Sequence, residues 1–344
     1  MAKFSKKQRI YIYQFCADMI KAGLPLFDSL QKLQIEGRSL LGAGFSKKLQ
    51  GLLVQMKQET SVSAVFNGMV PSSELSVITA AEKSGSLADG FFTLVSVIRY
   101  NDELRKKIVG ALIFPLIMIT LSLVVITGYS QKVFPAFASV VPVSKWPGVT
   151  SSLYNFGTAL YEGLWIKILV GFIVGVIVIR FMLGNLKGAI RNKVLDRILP
   201  FSTYRQLTSS IFLNNLALML SNNIPLTDAL AIIQLNANRW LRWHLDVMLD
   251  KMARGINYGK ALDSGLMGPE ELLNISLYAD LPSFNEVLLS VSNRSREHIQ
   301  EYIKKLAGLL KNLATLILGG CVIWVFAALF SLMDTLSKSA TGMG

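Results

Sequence analysis

The chain has 344 residues, of which 52% are hydrophobic and only 17% are charged, whereas soluble proteins usually carry about 25% charged residues. This composition excludes an ordinary soluble domain and indicates a membrane protein. The formal net charge is +13, and the distribution of its lysines and arginines indicates membrane topology rather than nucleic-acid binding.

The segment 1–107 has a helical pattern throughout, with apolar residues at spacings of three and four. In chain order it predicts helices over about 11–22, 26–34, 40–59, 63–67 and 72–83, and a last helix that begins near residue 87. Alternation of β-branched residues is nearly absent, so we expect no sheet. The segment is therefore predicted to form a first cytoplasmic bundle of about six helices.

The first two of these helices are joined by a short turn in the sequence AGLPLFDSL. Gly23 suits the left-handed conformation just past a helix C-terminus, and Pro25 suits the first turn of the next helix, where its missing N–H costs nothing. Leu26 follows, and Asp28 falls in the first turn, where a carboxylate interacts favourably with the helix dipole. These residues predict a tight helical hairpin, and Asp28 is also a hypothetical contact for a partner protein.

A second motif, AEKSGSL at 81–87, ends the fifth predicted helix. Glu82 stands just before the Ser-Gly break, Gly85 makes that break, and Leu87 opens the next helix. Two interpretations of Glu82 remain open. Its carboxylate either caps the new helix or reaches a basic surface of a partner.

Three stretches are apolar enough to cross a membrane, at 108–128, 163–183 and 313–333. At about 1.5 Å per helical residue, each is long enough for a hydrocarbon core about 30 Å thick. The second contains Lys167 and Arg180 near its ends, where long side chains reach the headgroups. Pro115 is predicted to kink the first span.

Lysines and arginines set the predicted orientation of these spans. There are fifteen in 1–107 and fifteen in 183–312, but only Lys132 and Lys145 in the connection 129–162. By the positive-inside rule the two large segments are cytoplasmic and the connection is periplasmic. With three spans, the tail 334–344 is then periplasmic as well.

The segment 184–312 repeats the plan of the first and is predicted to be a second bundle. Its predicted helices cover about 209–221, 225–235, 239–253, 258–264 and 269–279, and a last helix begins near 284. At an offset of 200 residues, SNNIPLTDAL repeats the hairpin, with six identities in the sixteen positions from 15 to 30. Asn223, Pro225, Leu226 and Asp228 take the places of the glycine, proline, leucine and aspartate, and asparagine tolerates the left-handed conformation. Asp228 is a further hypothetical partner contact.

Motifs for catalysis or cofactor binding are weak. The stretch 255–261, GINYGKA, has three residues between its glycines where a phosphate-binding loop has four, and alanine replaces the hydroxyl residue that would hold magnesium. His244 and His298 stand singly, without the spacing of a metal site, and we expect both at the surface. The predicted spans contain no Asp or Glu, the residues that a proton- or cation-coupled transporter places there. We predict no catalytic, metal or cofactor site.

The order of these features resembles a known family, the inner-membrane platform proteins of type IV pilus assembly and type II secretion (the type II secretion F family). The resemblance extends over about residues 9–335, and in form the chain is most similar to platforms of type IVb or plasmid-encoded pili. It is carried by the two hairpins, by AEKSGSL, and by Phe134-Pro135, Trp146-Pro147-Gly148-Val149-Thr150 and Ile198-Leu199-Pro200.

The resemblance implies an all-α polytopic protein of the bacterial inner membrane, with two repeated cytoplasmic bundles, no enzymatic activity and no cofactor. Its implied partners are a hexameric assembly ATPase in the cytoplasm, pilin or pseudopilin, other inner-membrane assembly proteins, membrane lipid and further copies of itself, but no nucleic acid. Its implied function is to couple the ATPase to extraction and polymerisation of pilin, with Glu82 as a hypothetical ATPase contact. The second repeat departs from the motif, because YADLPSF at 278–284 lacks the Glu and the Gly.

Two other classes remain open. One is a subunit of a membrane secretion channel or transporter, against which the uncharged spans argue. The other is a membrane receptor with cytoplasmic scaffolds, which predicts ligand binding in 129–162.

Overall fold

The computed structural model describes residues 3–37, 42–188, 191, 195–279, 281 and 283–340. Within those ranges the backbone forms helices and turns and no strand, which confirms the predicted all-α fold. The chain divides into two compact units, Met1–Leu104 with Met182–Gln300 and Arg105–Phe181 with Glu301–Gly344. Parts of three predicted features lie outside the described residues, namely 40–41 of the helix predicted over 40–59, Asp280 and Pro282 of YADLPSF, and residues 341–344 of the tail.

In the part of the first repeat that the structure describes there are six α-helices. They are α1 Lys6–Lys21, α2 Leu26–Glu36, α3 Ala43–Gln58, α4 Val62–Phe66, α5 Ser72–Lys83 and α6 Leu87–Gly128. Helix α1 begins five residues before its predicted start because Ser5 and Gln8 form a capping box, in which each side chain accepts a hydrogen bond from the backbone N–H of the other.

Three further helices follow in the chain. They are α7 Phe134–Ala138, α8 Gly148–Ala159 and α9 Trp165–Asn185. Five-residue π-helical turns precede α7 and α9. In the second of these turns Gly163 has a φ of 117°, which interrupts the helical backbone, so α9 begins two residues after the predicted start of the second span.

The described residues of the second repeat also form six α-helices. They are α10 Phe201–Ser221, α11 Leu226–Leu235, α12 Arg239–Ala253, α13 Tyr258–Ala261, α14 Pro269–Tyr278 and α15 Phe284–Ala340. Their order and approximate lengths follow those of the first repeat, so α1 corresponds to α10 and α6 to α15. Helix α10 begins directly after Pro200, eight residues before its predicted start.

The two repeats pack into one unit rather than into two separate bundles. Their buried side chains form a single hydrophobic core, which includes Tyr13, Leu52 and Phe91 of the first repeat and Leu213 and Trp240 of the second. Helix α5 lies against α11. A shared core removes more apolar surface from water than two small cores would. Most of each predicted segment therefore belongs to one compact unit, which ends at Leu104 in the first repeat and at Gln300 in the second.

Three helical stretches are long and apolar enough to cross a membrane, Leu87–Ala138, Gly148–Asn185 and Phe284–Lys338. Each contains one of the predicted spans. Apolar side chains such as Phe172, Ile177 and Phe330 are exposed, and no residue of α9 is buried. Such continuous exposed apolar surface fits contact with lipid and not with water.

The predicted connection 129–162 is mostly helical and belongs to the second unit. Phe134, Trp146 and Leu153 form a small core with Val325 and Leu332 of α15. Ordered packing of this kind explains why the stretch is rich in aromatic residues.

Candidate functional site

The first hairpin has the geometry that its sequence predicts. Gly23 has a φ of 70°, and its N–H donates to the carbonyl of Ile20 at 3.0 Å. The N–H of Leu24 donates to the carbonyl of Met19, also at 3.0 Å. These two bonds form a Schellman motif, which closes α1, and Pro25 then precedes α2.

The second hairpin repeats this geometry with asparagine in place of glycine. Asn223 has a φ of 60°, and its N–H donates to the carbonyl of Leu220 at 3.0 Å. The N–H of Ile224 donates to the carbonyl of Met219 at 3.1 Å, and Pro225 precedes α11. The two hairpins therefore share their backbone as well as their sequence pattern.

The side chains of the hairpins differ in burial. Leu226 is buried, whereas Leu26 is only half-buried. Asp28 and Asp228 both lie in the first turn of their helix and are exposed. Both carboxylates are thus accessible, and their role as partner contacts stays a prediction.

Asn222 joins the two repeats. Its carbonyl accepts a hydrogen bond from Ser86 Oγ at 3.2 Å. Its side-chain amide donates to Thr93 Oγ1 and to the carbonyl of Leu218, the latter at 2.7 Å. The first hairpin has Ala22 at this place, so the asparagine pair of the second hairpin provides both a turn and a contact between repeats.

Glu82 caps a helix, but not the helix that its position in the sequence suggests. Its carboxylate accepts hydrogen bonds from Val62 N–H at 2.5 Å, from Ser63 N–H at 3.1 Å and from Ser63 Oγ at 2.6 Å. Ser61 Oγ accepts a further bond from Ala64 N–H. Glu82 therefore caps α4 rather than α6, because the chain folds back and brings the end of α5 beside the start of α4.

The surroundings of Glu82 favour its ionised form. Burial by itself raises the pKa of the carboxyl, but the hydrogen bonds from Ser63 and Val62 outweigh it and hold the pKa below its ordinary value. The rest of the motif acts as predicted: Gly85 makes the break with a φ of 70°, and Leu87 opens α6 and packs against the shared core.

A buried charged cluster, which no sequence motif indicates, lies at the start of the second repeat. The guanidinium of Arg191 lies 4.2 Å from the ring of Trp240, and its Nε is 3.3 Å from Asp196. Both charged side chains are only 1% exposed. Arg191 also donates to the carbonyls of Leu183 and Leu186, so it satisfies the C-terminal end of α9, where a cation interacts well with the helix dipole.

His244 belongs beside this cluster, and the expectation of a surface histidine is wrong. Its side chain is fully buried, and its ring lies edge-on to Trp240 at 4.9 Å and to Trp243 at 4.8 Å. Nδ1 lies 2.9 Å from the carbonyl of Ser264. Burial lowers the pKa of His244 to about 4, so the imidazole is neutral near pH 7. The sequence held a signal of this burial, because His244 stands four residues after Trp240 and four before Met248 and so lies on the buried face of α12.

A groove runs along the first hairpin. It has a volume of about 740 Å³ and is lined by α1 and α2, with Tyr11 and Leu24 on its walls and Asp28 at its edge. Tyr11 is 42% exposed and Leu24 49% exposed. The groove is therefore an accessible apolar surface on the unit predicted to be cytoplasmic.

A smaller cavity of about 340 Å³ lies between the two repeats. One wall comes from α5 and α6, and the other from α10, α11 and α12. At its rim Asn236 Nδ2 donates to Ser73 Oγ, and nearby Tyr100 OH lies 2.7 Å from Ser210 Oγ. The cavity thus lies within the contact that unites the repeats.

Pro115 lies inside α6, where its ring is buried in the second unit. A proline at this place removes one backbone hydrogen bond from the helix interior. The helix nevertheless continues from Leu87 to Gly128, and the kink stays a prediction.

The sequence matches the profile of the family described as type II secretion system (T2SS), protein F, over residues 12–135 and again over 212–332. The two matches begin 200 residues apart, which is the offset of the hairpins. The chain is 37% identical to the toxin coregulated pilus biosynthesis protein E of Vibrio cholerae, over 98% of the chain and 100% of that relative. It is 24% identical to the type IV pilus assembly protein PilC of Myxococcus xanthus, over 94% of the chain and 79% of the relative. It is 23% identical to the type II secretion system protein F of Pseudomonas aeruginosa, over 91% and 78% respectively.

Proposed function

The chain belongs to the family of type II secretion system protein F, and from this premise we propose that it is the inner-membrane platform of a pilus assembly machine. In this function it couples a hexameric cytoplasmic ATPase to the extraction and polymerisation of pilin, and it catalyses no reaction itself. The observation that carries the proposal is the 37% identity to a pilus biosynthesis protein along the whole of both chains. That identity favours a pilus over a secretion substrate.

The distribution of charge supports the orientation that this function requires. The cytoplasmic unit holds most of the lysines and arginines, while 129–162 holds two. We therefore place the N-terminus and both repeats in the cytoplasm, and the C-terminus and the connection in the periplasm. Three spans with no Asp or Glu fit a passive scaffold for other membrane helices better than an ion-coupled transporter.

The ATPase would meet the unit that the two repeats form. Asp28 and Asp228 are exposed carboxylates in equivalent turns, and each is a proposed contact for a basic surface. Glu82 is already engaged with the start of α4, so an ATPase contact at this residue would compete with the cap. The partners in the membrane would be pilin, other assembly proteins and lipid.

Deletion of the encoding gene tests the proposal. We expect loss of surface pili while pilin remains in the inner membrane, and restoration by the full chain supplied in trans. A tagged chain purified from membranes of the source organism should retain the assembly ATPase. Pili that persist after deletion would overturn the proposal, and solute flux through the purified chain in vesicles would favour the channel or transporter alternative.

A further inference from the structure

The groove beside the first hairpin is the counterpart of one wall of the cavity between the repeats. The offset of 200 residues that relates the hairpins also relates these linings. Six groove residues are Tyr11, Phe15, Met19, Lys32, Leu33 and Glu36. Their counterparts in the cavity are Ile211, Asn215, Met219, Ile232, Ile233 and Asn236.

The other wall of the cavity also has a counterpart. AEKSGSL and YADLPSF are related by an offset of 197. At this offset, the residues of α5 and α6 that form the wall correspond to residues of α14 and the start of α15. The cavity residues are Ser73, Glu74, Val77, Val97 and Asn101. Their counterparts Glu270, Glu271, Asn274, Arg294 and His298 line a small open pocket on the second repeat.

One chain therefore forms this contact between its repeats once. The matching surfaces, the groove on α1 and α2 and the face on α14 and the start of α15, remain exposed. The hairpin of the second repeat is covered by α5 and α6, so Ile224 is only 2% exposed, whereas its counterpart Leu24 is 49% exposed. On α14, Leu273 and Leu277 each follow a pocket residue, Glu270 and Asn274, by three positions and so share its side of the helix. They are 61% and 65% exposed. Among the described residues, the groove and the α14–α15 face have no cover of the kind that joins the repeats.

We propose that copies of this chain associate head to tail, with the α14–α15 face of one copy seated in the α1–α2 groove of the next. The contact repeats between chains what the two repeats form within one chain. It is heterologous, because two different faces meet. Since all copies share one orientation in the membrane, the contact extends the assembly sideways, as a ring or an arc. The inference rests on the proposed platform function and on the expectation that a platform contains further copies of this chain.

The chemistry of the two faces fits this association. Leu273 and Leu277 supply apolar surface for a groove whose wall includes Leu24, and burying both surfaces is favourable. Within the chain, Asn236 donates a hydrogen bond to Ser73. The counterparts of these two residues are Glu36 and Glu270, so in the proposed contact Glu36 of one copy faces Glu270 of the next.

Arg294 balances these two carboxylates. Its guanidinium already pairs with Glu270 at 3.0 Å. Its counterpart Val97 lines the same cavity as Asn236, which is the counterpart of Glu36. In the proposed contact Arg294 therefore lies next to both acidic side chains, and the network joins the two copies.

Cross-linking between two single-cysteine copies tests the contact. In a background with Cys16 and Cys321 replaced by alanine, Glu36→Cys is placed in one tagged copy and Glu270→Cys in a differently tagged copy. Both are expressed in membranes that lack the ATPase and pilin. Oxidation should give the mixed dimer as the dominant cross-linked species. Ser73→Cys with Asn236→Cys in one chain is the positive control, because those side chains touch within the chain.

A second variant separates the contact from chance collision. Leu24→Glu should abolish the mixed dimer, while Leu235→Glu, at a leucine of similar exposure (52%) that lines neither face, should leave it unchanged. Mainly homodimers through position 36 or 270, or no dimer while the positive control cross-links, would overturn the head-to-tail contact. Either result would leave the platform function to its own deletion test.

Discussion

Replacement of Glu82 by glutamine should weaken the start of α4 and leave the protein folded at low temperature. The carboxylate accepts three hydrogen bonds there, and a glutamine side chain has one acceptor oxygen and an amide that points hydrogens at the same donors. Loss of a helix cap costs about 0.5–2 kcal/mol, and bonds to a charged acceptor are worth more than neutral ones. Glu82 is partly exposed, and solvent weakens bonds to an exposed charge. We therefore expect the loss in the free energy of unfolding to stay within the range for a helix cap, at about 2 kcal/mol.

The effect should depend on pH in a defined direction. The pKa of Glu82 is lower in the folded protein than its ordinary value, which is about 4.3 for glutamate. Its stabilising contribution is therefore present above about pH 4.3 and is lost as the pH falls through the folded value. The difference in stability between the natural protein and Glu82→Gln should be constant near neutral pH and shrink in acid.

Thermal unfolding of the purified full chain in detergent measures this difference. A loss of about 2 kcal/mol corresponds to roughly 4–8 °C for a unit of this size. Glu59→Gln, the same chemical change at an exposed glutamate, is the matched control and should shift the midpoint little. An unchanged midpoint for Glu82→Gln, together with loss of ATPase co-purification, would refute the capping role and favour a direct partner contact.

Three further predictions concern the hairpins, the buried histidine and the topology. Gly23→Ala should lower the free energy of unfolding by about 1 kcal/mol, because Gly23 has a positive φ. A Cβ there meets nothing within 4 Å, so the strain lies in the backbone alone. Asn223→Gly should be nearly neutral in the same unfolding assay, and equal losses for the two variants would contradict the shared turn. The pKa of His244 is about 4 in the folded protein and 6.5 ordinarily, so between these pH values the unfolded chain binds more protons than the folded one. The free energy of unfolding should therefore fall by roughly 1 kcal/mol for each pH unit from 6.5 down to about 4. His244→Leu should flatten this slope, and an unchanged slope would argue against the buried neutral imidazole. Phosphatase fusions should be active at about position 145 and after 335 and inactive at 60 and 250; activity at 250 would exclude the three-span topology.

Much of the fold was predictable because local signals agreed with tertiary structure. The sequence predicts the helices at 72–83 and 239–253 to the residue, since apolar spacing marks their length and Pro71 and Asn238 mark their starts. The sequence predicts Gly23 and Asn223 in left-handed positions because few other residues adopt that backbone, and both have a positive φ. Capping is one of the two roles that the sequence leaves open for Glu82, but the helix that it caps begins twenty residues earlier in the chain, and sequence order gives no sign of that.

The sequence by itself determined the all-α class, the three apolar spans and the internal repeat, because helix periodicity, span length and turn chemistry are written in neighbouring residues. Only the tertiary structure decided what the two repeats do with each other. The packing of Arg191 on Trp240, the bond from Ser86 to Asn222 and the covering of one hairpin but not the other all depend on residues far apart in the chain. The physical reason is that apolar burial depends on which surfaces meet in space, and one copy of the chain supplies the cover for only one of its two equivalent grooves.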